Sequence, residues 1–291
     1  MSTKIQYKNK QHIFDEIYFP LDTQRKEAVM YLRYPLFEDT GLVNQGFSTK
    51  AGGVSEGCFS TMNLGFGRGD SQENVMENYR RFAKAIGVST EDLVLSQQTH
   101  TTNVRVITEE DRGNGMTKPQ EFHDVDGMVT DVPGLCLVTF YADCVPLYFL
   151  DPVKKVIGLS HSGWRGTVGK IGKVTIEKMS EQYGSEPSDI LAAVGPSVCQ
   201  DCYEVSEDVI ARFREHYEKQ YWDELFYKKE NGHYQLNLWR ANEIVFLQAG
   251  ILPEHIAVSN VCTHCNSDVL YSHRTMGNER GSLCAFFGLK A

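Results

Sequence analysis

The strongest constraint on the fold is a series of three short apolar runs in the middle of the chain. The runs are LCLVTFY, VPLYFL and KVIGLS, which begin at residues 135, 145 and 155. Ala142-Asp143-Cys144 and the turn-forming pair Asp151-Pro152 separate them. Short apolar runs bounded by turn residues are typical of strands buried in a core. This segment therefore predicts neighbouring core strands of one sheet.

Helical segments flank these strands. Apolar residues recur at helical spacing in four segments, namely 74–86, 167–184, 206–217 and 237–250. The first segment follows the possible caps Asp70 and Ser71 and stops at Gly87, and the second closes at Gly184. Ser206 caps the third, and Asn237 introduces the fourth, which ends at Gly250. Because strands occur both consecutively and in alternation with helices, we predict an α+β fold with mixed β-sheets and flanking helices.

The length of 291 residues and a hydrophobic content of 41% are sufficient for a large core. No repeat divides the chain, so we predict a single elaborated domain over residues 1–291, with residues 1–40 as an N-terminal extension. No membrane-length apolar run and no apolar signal segment occur, so we expect a cytoplasmic protein that does not enter a membrane. The eight cysteines then indicate reduced thiols, metal ligands or nucleophiles.

The formal net charge of −9 argues against nucleic acid as a partner, because sequence-independent binding to a phosphate backbone requires a basic surface. A locally basic pocket for a small anion is still compatible with this charge. The sequence does not indicate the oligomeric state.

Three residues with metal-binding side chains, His100, Cys144 and His161, each lie at the end of a predicted strand. We call them the His2Cys cluster. Two imidazoles and one thiolate suit Zn²⁺, and three protein ligands leave a fourth tetrahedral position for water or substrate. The cluster is therefore predicted to be both metal-ligating and catalytic. Spacing alone leaves open the alternative of a buried cysteine and two unrelated surface histidines.

The glycine-rich stretch after His161 predicts an anion site. Gly163 and Gly166 permit close approach of the backbone, and the planar guanidinium of Arg165 matches phosphate or carboxylate. A loop whose glycines only turn the chain onto its sheet explains the same residues.

Three carboxylates are candidates for moving a proton or orienting a ligand: Asp126, Asp143 and Glu204. Each also fits a turn or capping role, and for Asp126, which precedes Gly127, the turn is at least as good an explanation. Asp143 adjoins Cys144, so we rank it first as a catalytic carboxylate.

Two Cys-x-x-Cys pairs, Cys199/Cys202 and Cys262/Cys265, are compatible with a structural zinc site or a redox centre. Zinc ribbons usually keep their two pairs closer in sequence. We therefore interpret these residues as reduced thiols that line a pocket.

Eight short motifs occur in order along the chain: GFSTKAGGVS (46–55), NLG (63–65), SQQTH (96–100), DGMVTD (126–131), ADC (142–144), HSGWRGT (161–167), VGPSVCQDCYEV (194–205) and YSHR (271–274). Together they resemble the laccase-domain family, also called the multicopper polyphenol oxidase or peptidoglycan-editing-factor family. The combination of ADC with HSGWRG is highly specific. After YSHR the chain departs from the family pattern, so Arg274 is not assigned a substrate contact.

The resemblance implies that the His2Cys cluster holds the zinc ligands and active-site residues of the family. It also implies an α+β fold, phosphorolysis of adenosine, inosine and methylthioadenosine, and deamination of adenosine. Arg165, Gln98 in SQQTH and Asn63 in NLG are predicted to bind substrate. The expected partners are therefore purine nucleosides and phosphate.

A copper laccase needs a His-Cys-His element and several His-x-His pairs. None of the nine histidines forms such a pair, which excludes a multicopper mechanism. Cu²⁺ is nevertheless an alternative occupant of a His2Cys site, because its affinity for such donors exceeds that of Zn²⁺.

The expected mechanism uses the zinc ion to polarise a substrate atom or to lower the pKa of a bound water to about 7. Three alternatives stay open. The first is an amidase that edits serine-containing peptidoglycan precursors. The second is a metal-independent cysteine hydrolase with Cys144 as nucleophile and His161 as base. The third is a partner-binding module without activity.

Overall fold

The computed structural model describes residues 4–22 and 27–291. Within these ranges it contains fifteen strands and eight α-helices. The strands are β1 (Asp15–Asp22), β2 (Glu27–Arg33), β3 (Val43–Ser48), β4 (Leu93–Leu95), β5 (Val104–Val106), β6 (Gly127–Thr130), β7 (Cys136–Tyr141), β8 (Val145–Asp151), β9 (Val156–Ser162), β10 (Leu191–Val194), β11 (Glu204–Val205), β12 (Phe226–Lys228), β13 (Tyr234–Leu236), β14 (Ile256–Val258) and β15 (Leu283–Leu289). The helices are α1 (Pro35–Glu38), α2 (Gln72–Ile86), α3 (Trp164–Val168), α4 (Ile171–Tyr183), α5 (Glu207–His216), α6 (Trp222–Leu225), α7 (Leu238–Gln248) and α8 (His273–Met276).

Twelve strands form two six-stranded sheets, and β11, β13 and β12 form a small third sheet. The first sheet has the order β1-β2-β3-β15-β7-β4, and the second has the order β14-β10-β8-β9-β6-β5. Most neighbours are antiparallel, but β4 with β7, β5 with β6 and β10 with β14 are parallel. The mixed sheets and flanking helices confirm the predicted α+β class.

The two large sheets pack face to face, and helices cover their outer faces. Leu137 of β7 and Tyr148 of β8 belong to the core between the sheets. The alternate residue Phe149 packs with α4 and α7 on the outer face of the second sheet. Phe82 of α2 packs on the outer face of the first. Strands buried on both faces explain why the central runs are continuously apolar rather than alternating.

The predicted helices are present, with one difference. α2 begins after Ser71, whose Oγ accepts a hydrogen bond from the Asn74 amide, and it ends at Gly87 with φ 77°. The predicted helix 167–184 begins earlier and is interrupted, because Gly169 and Lys170, the latter at φ 57°, separate α3 from α4. α5 and α7 confirm the other two. None of the described helices is long and apolar enough to cross a membrane.

Of the predicted N-terminal extension (1–40), residues 1–3 and 23–26 lie outside the described ranges. In the rest of it, β1 and β2 form the edge of the first sheet next to β3. The single-domain organisation stays a prediction.

The prediction that the three central runs share one sheet is wrong for the first of them. β8 pairs with β9, whereas β7 pairs with β15 and β4 in the first sheet. The reason is that Ala142-Asp143-Cys144 carries the chain from one sheet to the other. Residues 96–103 make a second crossing, from β4 to β5. Cys144 and His100 therefore lie on the two crossings, and His161 lies on β9 beside them.

Candidate active site

The three members of the His2Cys cluster come together at these crossings. Their ligand atoms all lie within 4.8 Å of one another. The Sγ of Cys144 is 3.9 Å from the Nε2 of His100, and the two imidazole centroids are 4.8 Å apart. His161 is buried, Cys144 is half-buried and His100 is exposed, so the cluster faces solvent on one side only.

Asp126 organises two of these residues. Its fully buried carboxylate lies 2.8 Å from the Nδ1 of His161 and accepts hydrogen bonds from the backbone amides of Thr99, His100 and Thr101. Because Nδ1 of His161 is engaged, its Nε2 is left free for the cluster, as in many metal sites. The single carboxylate thus orients His161 and fixes the loop that carries His100. Sequence reasoning undervalued Asp126, since the pairing of β6 with β9 that brings it to His161 is not local.

Asp126, Cys144 and His161 shift one another's pKa values, because they are close together and largely buried. Burial opposes ionisation of Asp126, but hydrogen bonds from His161 and the backbone amides outweigh it and lower its pKa to about 2. Burial also opposes ionisation of Cys144, but the charge of His161 and hydrogen bonds from both imidazoles lower its pKa to about 6. Burial would lower the pKa of His161, yet Cys144 and Asp126 raise it to about 9. Thiolate is the form of cysteine that binds metals.

The backbone around the cluster is unusual in two ways. His100 and Asp143 have φ of 68° and 90°, in the left-handed region that residues other than glycine rarely adopt. A Cβ at Gly163 would lie 2.9 Å from the Cδ2 of His100 and 3.2 Å from the Sγ of Cys144. Position 163 therefore requires glycine because the backbone passes so close to two members of the cluster.

The cluster opens into a cleft of about 1280 Å³. Positive side chains outnumber carboxylates on its walls, in contrast to the net charge of the whole chain. The charged lining residues are Arg68, Lys118, Arg165, Arg274 and Arg280 against Asp70 and Asp143. Aromatic surfaces come from Phe66, Phe140, Trp164 and Tyr203. The cleft therefore combines three potential metal ligands, a positively charged wall and apolar faces.

Residues 44–290 match the family described as multi-copper polyphenol oxidoreductase laccase. The chain belongs to this family. Its relatives include "Purine nucleoside phosphorylase YlmD" of Bacillus subtilis, 35% identical over 84% of this chain and 88% of that protein. "Adenosine deaminase RL5" of an unknown prokaryotic organism is 34% identical over 81% of this chain and 90% of its own length. The crystal structure of YlmD from Geobacillus stearothermophilus has a TM-score of 0.83 at 35% identity, covering 90% of this chain and 96% of that one.

The residues taken from the laccase-family motifs as substrate contacts have different environments. Arg165 is exposed on α3, lines the cleft and lies 4.3 Å over the Trp164 ring. Gln98 also lines the cleft, but its side-chain amide donates to the Phe140 carbonyl at 2.9 Å and accepts from the Phe140 amide at 2.6 Å. Gln98 thereby holds the end of β7 that leads into Cys144.

Asn63 does not line the cleft. It is fully buried, and its side-chain oxygen accepts hydrogen bonds from the backbone amides of Gly65 and Ser282. Its amide nitrogen donates to Asp70 at 3.0 Å. All three partners line the cleft, so Asn63 supports its wall from behind. A direct substrate contact of Asn63 stays a prediction.

The carboxylate of Asp143, ranked first from the sequence, points to neighbouring loops. One oxygen accepts a hydrogen bond from Thr263 Oγ1 at 2.6 Å, and the other accepts one from the Arg274 amide at 2.7 Å. Among the described residues, neither oxygen hydrogen-bonds to the His2Cys cluster. Glu204 pairs with Lys229 and does not line the cleft. A catalytic role of Asp143 stays a prediction.

Arg280 is a candidate binding residue that sequence reasoning missed. It lines the cleft, yet its side chain is only 8% exposed and its Nε has no hydrogen-bond partner among the described residues. Burial and then the charge of Arg68 lower its pKa to about 10. The guanidinium still carries its positive charge at neutral pH, so Arg280 adds to the positive charge of the cleft wall. The only sequence signal was an arginine in a stretch that departs from the family pattern.

The two Cys-x-x-Cys pairs also meet. The Sγ atoms of Cys199, Cys202, Cys262 and Cys265 all lie within 4.8 Å of one another, and we call these residues the four-cysteine cluster. In contrast to the interpretation from the sequence, none of them lines the cleft.

Proposed function

We propose that this protein is a zinc-dependent purine nucleoside phosphorylase for adenosine, inosine and methylthioadenosine, with adenosine deaminase activity. The observation that carries the proposal is the position of the His2Cys cluster in a cleft with an arginine-rich wall. The names of its relatives, which include a purine nucleoside phosphorylase and an adenosine deaminase, support the two reactions. A cytoplasmic location is part of the proposal and agrees with eight free cysteines.

The donor set of the His2Cys cluster fits a zinc ion. It offers two imidazole nitrogens and one thiolate, and Asp126 holds His161 as carboxylates hold metal-binding histidines elsewhere. When bound, the ion supplies a Lewis acid and lowers the pKa of a water ligand. His100, Cys144 and His161 are the residues that hold it, and Asp126 keeps the His161 ring in the required orientation.

The arginines of the cleft bind the phosphate. Arg280 contributes a largely buried guanidinium that lines the cleft, and Arg165 contributes an exposed guanidinium that packs on Trp164. Bidentate guanidinium contacts position phosphate oxygens well. A phosphate oxygen then forms a bond to the anomeric carbon of the ribose as the carbon–nitrogen bond to the purine breaks, and the purine nitrogen takes up a proton. Positioning of the two reactants accounts for much of the expected acceleration.

The apolar part of the cleft suits the purine. Phe66, Phe140, Trp164 and Tyr203 present aromatic surfaces there. Aromatic rings bury a large area and stack favourably with other flat rings. A nucleoside therefore fits with its base on these surfaces and its ribose toward the arginines and the His2Cys cluster.

The proposal is tested by product analysis of the zinc-replete protein with inosine, in the presence and absence of phosphate. We expect free hypoxanthine and ribose 1-phosphate only when phosphate is present. With adenosine and no phosphate, we expect inosine. Release of the base at the same rate without phosphate would overturn the phosphorylase assignment, and no inosine from adenosine would overturn the deaminase assignment.

One observation favours a second candidate, a cysteine hydrolase. Cys144 has a lowered pKa, and His161 is hydrogen-bonded to Asp126 as a base is to its orienting carboxylate. Activity assays on protein shown to be free of metal distinguish the two candidates. Metal-free protein should lose its activity if it is the zinc-dependent phosphorylase. It should keep its activity if Cys144 is the nucleophile of a cysteine hydrolase.

A further inference from the structure

We propose that the four-cysteine cluster is a second metal site, which binds a structural zinc ion. The four sulfurs converge within 4.8 Å, and those of Cys202 and Cys265 are 3.5 Å apart. Sulfurs bound at about 2.3 Å to a tetrahedral Zn²⁺ are separated by roughly 3.8 Å. The cluster therefore has the size and the donor set of a tetrathiolate zinc site.

The sheet topology explains why the two pairs meet. β10 and β14 are parallel neighbours, so their carboxyl ends lie side by side. A parallel bridge between Ser197 and Cys262 extends this pairing beyond the strands. Cys199 and Cys202 follow β10, and Cys262 and Cys265 follow β14. Each strand therefore presents one Cys-x-x-Cys turn at the same edge, which is a preformed arrangement for one ion.

Backbone amides and a lysine lie close to the sulfurs of this cluster. The amides of Cys199 and Cys265 donate to the Sγ of Cys262 at 3.3 and 3.5 Å. Hydrogen bonds to the charged form of a group stabilise that form. Lys8, which is 3.1 Å from Asp201 inside the first pair, also interacts with Cys199. Four thiolates around Zn²⁺ carry a net charge of −2, which a nearby ammonium partly offsets; the four thiol protons pass to solvent when the ion binds.

A metal ion accounts for the cluster better than a disulfide does. A disulfide uses two sulfurs, and all eight cysteines of the chain are free in this structure. Convergence of four sulfurs from two distant turns is what a tetrahedral ion requires. Cys199 and Cys262 are buried, Cys202 and Cys265 are half-buried, and none lines the cleft. A closed site with four protein ligands is structural rather than catalytic.

The proposed ion holds together three parts of the chain. The Gln6 amide donates to Asn266 at 2.6 Å, and the Asn266 side chain donates back to Gln6 at 3.1 Å, so the N-terminal segment lies against the second turn. From the two turns, the Val198 amide donates to the Asp143 carbonyl and Thr263 donates to the Asp143 carboxylate. The turns of the four-cysteine cluster therefore hold Asp143, the residue next to Cys144, in place by hydrogen bonds, although the cluster does not line the cleft.

Metal analysis of purified full-length protein tests this proposal independently of any turnover. We expect two zinc ions per chain in the wild type, one in Cys144→Ala and one in Cys202→Ser/Cys265→Ser. Cys58→Ser, at an exposed cysteine, is the matched control and should keep two. X-ray absorption of the Cys144→Ala protein should show sulfur ligands alone, at about 2.3 Å. One zinc ion in the wild type and none in Cys144→Ala would overturn the proposal.

A second measurement uses only the wild type, in case the double variant does not fold. Alkylation and mass spectrometry compare the half-buried Cys202 and Cys265 in zinc-replete protein and in protein shown to be metal-free. We expect these thiols to react only after metal removal, with Cys58 reacting in both. Equal reactivity of Cys202 in the two samples, or a disulfide between Cys202 and Cys265 in freshly purified protein, would contradict the proposal.

Discussion

The His2Cys cluster and the four-cysteine cluster are both assembled from residues far apart in the chain, but their surroundings differ. The first combines two imidazoles with one thiolate, has an exposed member and opens into the cleft. The second has four sulfurs, no exposed member and no contact with that cleft. Three ligands with an open position characterise catalytic zinc, whereas four ligands in a closed shell characterise structural zinc. Donor number and access, rather than the presence of cysteine, thus separate a reactive site from a structural one.

The two clusters are also supported by different means. A buried carboxylate, Asp126, orients His161 and the loop of His100, so two of the three His2Cys residues depend on one side chain. The four-cysteine cluster depends on the pairing of β10 with β14 and on backbone amides. Substitutions should therefore affect activity at the first cluster and stability at the second.

The largest expected effect is that of Cys144→Ala. Loss of one of three ligands removes the Lewis acid, so kcat/KM for phosphorolysis should fall about 10³-fold, which corresponds to roughly 4 kcal/mol. The thermal unfolding midpoint should stay near that of the wild type, because the four-cysteine cluster is intact. Steady-state kinetics and calorimetry check both parts. A kcat/KM of Cys144→Ala within tenfold of the wild-type value would show that the His2Cys cluster is not a catalytic site, and the contrast with the four-cysteine cluster would then be wrong.

Asp126→Asn should weaken zinc binding at the His2Cys cluster by about 10- to 100-fold, the usual cost of losing a carboxylate behind a histidine ligand. Competition with a chromophoric chelator measures the affinity. Asp124→Asn is the matched control, since exposed Asp124 accepts hydrogen bonds from Thr101 in the same loop but contacts no imidazole. Equal zinc affinities of the two variants would show that Asp126 does not support zinc binding at the His2Cys cluster.

Gly163→Ala should lower kcat/KM about tenfold, because the new methyl group displaces His100 and Cys144 at a cost of about 1–2 kcal/mol. Gly166→Ala, whose new methyl group meets its nearest atom at 3.4 Å, is the control in the same stretch. Equal activity of the two variants would mean that the close approach at Gly163 is not needed.

The smallest effect is expected at the wall of the cleft, away from both clusters. Arg280→Lys keeps the charge but removes the planar guanidinium, so the KM for phosphate should rise about fivefold, or roughly 1 kcal/mol, with the KM for inosine unchanged. Arg80→Lys on the exposed face of α2 is the control. A rise in both KM values alike would place Arg280 outside the phosphate site.

The sequence predicted those features that depend on local patterns. The cap at Ser71, the end of α2 at Gly87 and the three apolar strands follow from neighbouring residues. The His2Cys residues were selected because metal-binding side chains occurred at strand ends, without knowledge of their distances. The rest depends on which strands are neighbours: the pairing of β6 with β9 brings Asp126 to His161, and that of β10 with β14 joins the cysteine pairs. The burial of Arg280 follows from the same long-range packing.

We expect His100, Cys144 and His161 to share one cation. A crystal structure of zinc-replete protein, with diffraction measured on both sides of the zinc absorption edge, tests it directly. We expect an anomalous peak at about 2.0–2.3 Å from one nitrogen of each histidine and from the Cys144 sulfur. No peak at that position, in protein that phosphorolyses inosine at its full rate, would contradict it.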